Sequence, residues 1–315
     1  MDADNYNSEI ENISDIENFQ MRLRLLSEDN IPAIEELLDK ESQRLRRLQR
    51  LKEDGKLDFG DNVSPEELKE LFSQICTEVD EFLGIQDGEV PDCGYFNIFK
   101  PGFDSTSILL LYALSAIGVA YGLTPLFTDQ NPDIDHFISA ALGALASTQA
   151  AISHLALKQP AYDLSSKGVT LKKVARTDLI PMAGHEYAHS IHDKIGIASK
   201  TYTAFTEGHA RGVEKQLADN YREREDNEAF LYSVSDMTAG ELKSAYLWMC
   251  RQLGLLPRKS LLKTRTNRDR IESWYRLIHR RPSHHAVGNA LFSIYETLKG
   301  REIYKHMIHG DFRFE

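Results

Sequence analysis

His185-Glu186-Tyr187-Ala188-His189 is the stretch of this chain whose residue types and spacing specify a reaction. On a helix, residues four apart share a face, so the two imidazoles can reach one cation at roughly 2.0 to 2.1 Å from each. Glu186 lies about 100° round the same helix, near enough to hold a metal-activated water without becoming a ligand. It is the candidate general base. Nitrogen and carboxylate ligands, no redox change and a water whose pKa must fall toward about 7 point to Zn²⁺. Manganese and iron accept the same ligand types.

Two histidines do not complete such a site, because three protein ligands leave one corner for water. Glu207 is the expected third ligand. Gly196 allows the motif helix, read as opening just after Pro181, to end and the chain to reverse into a second helix starting near Thr203 or Thr206. Gly208, lacking a side chain, would let two helices approach closely around an ion. Glu214 is the alternative ligand, seven residues further along the same face. His192 lies one turn beyond His189, too far along to bind the same ion, and reads as a supporting or packing histidine. The metzincin pattern fails, since it needs Gly at 192 and His at 195, where this chain has His192 and Ile195.

HEYAH followed by FTEGHARGVE resembles the HExxH-plus-Glu zinc metallopeptidases, the gluzincins, over about residues 160–310. The resemblance implies His185, His189 and Glu207 as metal ligands, Glu186 as base, and peptide-bond hydrolysis. It also implies an edge strand before the motif helix to receive substrate backbone, a place that Ala161 to Val174 fits. A downstream Tyr or His stabilising the oxyanion is implied too. His285, in His285-Ala286-Val287-Gly288, occupies that kind of position, with His284 competing. One departure is Arg211, where thermolysin-like members carry an Asp that orients a ligating histidine. Asp193 or Glu214 would have to replace that carboxylate.

The elements that must position these residues are mainly helical. Residues 1–30 are acidic and poor in aromatics, and read as a flexible tail. Region 31–100 is helical. Ile31, Ile34, Leu37, Leu38, Leu45, Leu48 and Leu51 give one amphipathic helix. Ser64-Pro65-Glu66-Glu67 then caps a second, which Gly84 closes. Ser105 to Phe127 carries no charge over a length that spans a bilayer core, and Phe137 to Leu157 is uncharged and rich in small residues. Segment 105–157 therefore reads as an apolar two-helix hairpin, either a membrane anchor or buried core. Lys100 before it, an acidic connecting loop and lysines after it would place both termini in the cytoplasm. His154 within it reads as a packed polar group. Strand signal is confined to Tyr95–Phe99 and Ala161–Val174. The expected fold is mainly α with a small β element, the metallopeptidase-like domain occupying 160–315.

Across 315 residues, 48 acidic against 37 basic side chains leave a net charge of -11, which makes nucleic acid an unlikely general partner. Within that acidic background, Arg258 to Arg281 forms a basic run that could face anionic headgroups, nucleic acid or the chain's own acidic amino-terminal region. Cys76, Cys93 and Cys250 show no CxxC pairing, so a reducing compartment is expected. No secretory signal is legible in the acidic first twenty residues. These features together predict a zinc-dependent peptidase acting on peptide or protein substrates. Its catalytic domain would be cytoplasmic and membrane-associated through 105–157, or cytoplasmic and soluble. The rival reading is a non-catalytic, membrane-anchored scaffold or structural-metal protein.

Overall fold

The computed structural model describes residues 16–86, 88–95, 113, 115–121, 123–124, 135–144, 161–163, 167–197 and 203–310. It is mainly helical with a small sheet. Two compact units emerge. One comprises 1–94, 162–169 and 173–315, the other 95–161 and 170–172. The helical stretch 31–94 and most of 160–315 cluster within the first unit.

Its helices are α1 (Asn30–Glu53), α2 (Pro65–Leu83), α3 (Arg176–Lys194), α4 (Ala204–Glu225), α5 (Tyr232–Gln252), α6 (Arg268–His279), α7 (His284–Lys299) and α8 (Ile303–Ile308). Local chemistry sets several of their ends. Ser64 Oγ accepts from Glu67 N–H while the Glu67 carboxylate accepts from Ser64 N–H, a reciprocal cap that satisfies two otherwise free donors. Thr203 and Thr206 make the same exchange at the start of α4, where the sequence placed it. The start of α3 differs from expectation. It begins at Arg176, and Pro181 lies inside it, removing one backbone donor without ending the helix.

The helix α4 is central, with α3 packed on one side and α7 on the other. The two guanidinium nitrogens of Arg176, at the start of α3, reach the Glu225 carboxylate at the end of α4 at 2.7 and 2.9 Å, so the two helices run antiparallel. The supposed tail is also corrected. Residues 16–25 are helical, Met21 and Leu25 are buried, and Asn18 Oδ1 accepts the Ala204 N–H at 2.7 Å. That carbonyl partners one of the free donors at the α4 amino terminus. Residues 1–15 lie outside the described chain.

Strands β1 (Asp92–Tyr95), β2 (Ala161–Asp163) and β3 (Gly168–Leu171) form one sheet in the order β1-β3-β2. Tyr95 ends a strand instead of starting one, and 96–99 lie outside the described residues.

In the second unit, helical stretches 115–121 and 135–144 meet at Gly118 and Gly143. A Cβ added at Gly118 would stand 3.1 Å from the Gly143 Cα. Small residues allow that close approach, but the long apolar helix pair expected over 105–157 is not found among the described residues. Residues 145–157, including His154, lie outside the described residues. Among the described residues no helix is long and apolar enough to cross a membrane.

Candidate metal centre

Antiparallel packing of α3 on α4 dictates which side chains can meet. Moving forward from His185 to His189 on α3 moves backward from Glu214 to Glu207 on α4. His185 Nε2 and His189 Nε2 lie 3.2 Å apart. Glu207 Oε2 stands 3.3 Å from the first and 3.7 Å from the second. Donors about 2.0 to 2.1 Å from a tetrahedral ion are separated by roughly 3.3 to 3.4 Å, so these three side chains can hold a metal ion with little movement. All three are buried, and Glu207 Oε2 has no aligned hydrogen bond. A buried carboxylate oxygen left in that condition is costly without a cation.

The electrostatics agree. Burial disfavours charge on His185, yet Glu207 and Glu214, one facing each ring nitrogen, push its pKa up to about 10. Burial would raise Glu207, but His285 and His189 hold it well below the usual carboxylate range. The centre therefore keeps anionic oxygen beside imidazole nitrogen and favours positive charge between them.

Glu186 sits beside this set. Its Oε2 accepts the backbone N–H of Tyr162 on β2 at 2.8 Å. Burial pushes its pKa up, which suits a base that must take and return a proton. Because β2 is an edge strand, this contact brings the sheet margin to the centre. The Tyr162 N–H, however, is already taken by Glu186.

Glu214 is not in the ligand set. Its Oε2 faces His185 Nδ1 at 3.3 Å, the nitrogen not needed for ligation, and it is closely paired with Arg211. It is thus placed to orient the His185 ring from the side away from Glu207. Asp193, the other candidate, instead accepts from Tyr162 Oη at 3.0 Å and pairs with Lys167. Arg211 also reaches Glu241 at 3.0 Å. Glu241 in turn receives Asn289 Nδ2 at 2.9 Å and Arg268 at 3.1 Å.

His285 is brought to the centre from α7, with its Nδ1 2.8 Å from Glu207 Oε2. His284 joins it, and the pair forms a second donor group with Glu207. The approach depends on glycine. A Cβ at Gly208 would lie 2.6 Å from the Gly288 carbonyl carbon and oxygen, and one at Gly288 would collide with the Ala204 carbonyl. Only bare backbones let α7 cross α4 this closely. Gly208 is the close-approach residue that its lack of a side chain predicts, and its partner is Gly288.

Behind the centre, His192 Nε2 lies 3.0 Å from His209 Nδ1, and His209 Nε2 lies 3.1 Å from the Tyr304 carbonyl. A carbonyl only accepts, so His209 carries its proton on Nε2 and its Nδ1 accepts a hydrogen bond from His192 Nε2–H. His192 therefore hydrogen-bonds to His209, and not to any of His185, His189 and Glu207. His209, Glu241 and Asn289 were missed. His209 stands two residues after the third ligand, the one local clue, whereas Glu241 and Asn289 follow no motif.

The basic run is partly consumed internally. Arg258 pairs with Glu35 of α1 at 3.0 Å, and Arg268 with Glu241 and Glu272. Lys259, Lys263, Arg265, Arg270, Arg280 and Arg281 form no ion pair among the described residues. No protein-family model matches the chain, and no curated protein or solved structure matches it.

Proposed function

We propose that the protein is a zinc metallopeptidase of gluzincin type, with His185, His189 and Glu207 holding the ion. The convergence of two imidazole nitrogens and one buried carboxylate oxygen, at separations of 3.2 to 3.7 Å, carries this reading. Two nitrogens and one oxygen suit zinc, and the ion would supply Lewis-acid polarisation of a peptide carbonyl and acidify a water.

The chain's own residues do the rest. The Glu186 carboxylate, held by the Tyr162 N–H, takes a proton from the attacking water and passes it to the leaving amine nitrogen. Attack is direct, without a covalent enzyme intermediate. Glu214 and Arg211 fix the His185 ring from behind, so that Nε2 stays aimed at the ion.

The test is metal analysis of the purified chain together with hydrolysis of an unfolded protein substrate by wild type and Glu186→Gln. Bound zinc and a rate about 10²- to 10⁴-fold lower in the variant, with metal content unchanged, are expected. An unchanged rate, or no zinc bound, overturns the proposal.

Near-complete burial of His185, His189 and Glu207 favours a second reading, a structural metal site. In that case chelation would unfold the protein, and no peptide turnover above buffer would be measured.

A further inference from the structure

We infer that Glu207 bridges two metal ions, the second held by His284 and His285 at the start of α7. This rests on the zinc reading of the first site and adds a second ion to it. Two donor triples exist, His185/His189/Glu207 and Glu207/His284/His285, each with one donor atom per residue inside a 4.8 Å sphere of mutual distances. They share only Glu207. The four imidazoles do not merge into one set, so one ion cannot collect them all without rearrangement, whereas a carboxylate shared between two ions reaches both.

A simple ion pair between Glu207 and His285 would be the plainer account of their proximity. It leaves the atoms unsatisfied. Glu207 Oε2 and His285 Nδ1 approach to 2.8 Å, yet neither atom has an aligned hydrogen bond, and both atoms are buried. Two buried polar atoms paired at 2.8 Å but outside hydrogen-bond alignment are also placed as two ligand atoms of one ion would be, and imidazole and carboxylate both bind divalent ions.

The backbone supports the same conclusion. The glycine pair Gly208 and Gly288 sets α7 directly against α4, one residue after Glu207 and three after His285. That crossing brings both α7 histidines to a carboxylate they could not otherwise reach. His285 is 28% exposed while Glu207 is 3% exposed, so the second position lies on the solvent side of the bridge. Ions in such pairs stand about 3.5 to 4 Å apart, and two together can clamp the attacking and departing atoms of a hydrolysis.

The experiment titrates chelator-stripped full-length protein with Zn²⁺ alone, by calorimetry with elemental analysis, in wild type and in the His284→Ala/His285→Ala variant. Wild type should bind two ions and the variant one, the retained ion keeping its wild-type affinity within about tenfold. X-ray absorption on the wild-type zinc protein should show a metal–metal vector near 3.5 to 4 Å, independent of whether the variant folds. One ion in wild type with no such vector overturns the bridge and leaves the peptidase proposal standing. Two ions retained by the variant also overturn it. No ion in wild type overturns both.

Discussion

The Tyr162 backbone N–H donates to Glu186 Oε2 at 2.8 Å, tying an edge strand directly to the proposed base. The contact comes from the main chain, so side-chain replacement at 162 leaves it in place. Tyr162→Phe removes the hydroxyl link to Asp193 and should retain hydrolysis within about threefold. Tyr162→Pro deletes the donor. It should lower the hydrolysis rate about 10- to 100-fold at unchanged zinc content, the cost of a misplaced catalytic group. Equal rates for the two variants would show that the hydrogen bond does not position Glu186.

Glu214 faces the non-ligating nitrogen of His185, and loss of such a partner weakens metal binding by about 10- to 100-fold. Glu214→Gln should show that loss in competition with a chromophoric chelator. Asp193→Asn, whose carboxylate pairs with Tyr162 and Lys167, should show none. A reversed order would transfer the orienting role to Asp193.

Gly288→Ala should be strongly destabilising. The new methyl meets the Ala204 carbonyl and lies 2.7 Å from Gly208 N, both backbone atoms that cannot rotate away. Overpacking of this kind costs about 1 to 3 kcal/mol, and chemical denaturation should register it as a lower midpoint at similar slope. A midpoint within error of wild type would mean that α7 can slide freely on α4.

Glu241 links stability to pH. Burial would raise its pKa, but Arg211 and Arg268 outweigh burial and leave it lowered. A carboxylate depressed in the folded state contributes stability that is complete above its unfolded pKa of about 4.3 and is lost as pH falls through the folded value. Glu241→Gln should therefore cost most at pH 7, with the difference shrinking below about pH 4. Denaturation midpoints measured across that range check the sign, and a difference that grows in acid contradicts it.

On α6, Ile271, Trp274, Leu277 and Ile278 are all more than half exposed. Replacing Trp274 or Leu277 by Lys removes little buried surface and should change stability by no more than about 0.5 kcal/mol. A loss of 2 kcal/mol in thermal or chemical denaturation would show that this face is covered in solution.

Much of the centre was legible because its rules are local. HEYAH puts two imidazoles on one face through helical periodicity alone, and Ser64 with Pro65 and Thr203 with Thr206 mark helix starts by the hydrogen bonds their side chains can make. Local rules failed at 16–25, where acidic composition suggested a tail. There, packing of Met21 and Leu25 and the Asn18 bond to the α4 terminus stabilise a helix that composition disfavours. Pro181 was read as a boundary and lies within a helix, because one missing donor does not outweigh the burial of α3.

Residue type and periodic spacing alone point to His185, Glu186, His189 and Glu207 as the candidate centre and to a mainly helical class. That Glu214 faces His185 Nδ1, that the Tyr162 N–H holds Glu186, and that His284 and His285 meet Glu207 across a glycine crossing follows from packing and from no motif. Those relationships join residues far apart in the chain, and their distances depend on how closely helices pack, a quantity set by side chains on both partners at once.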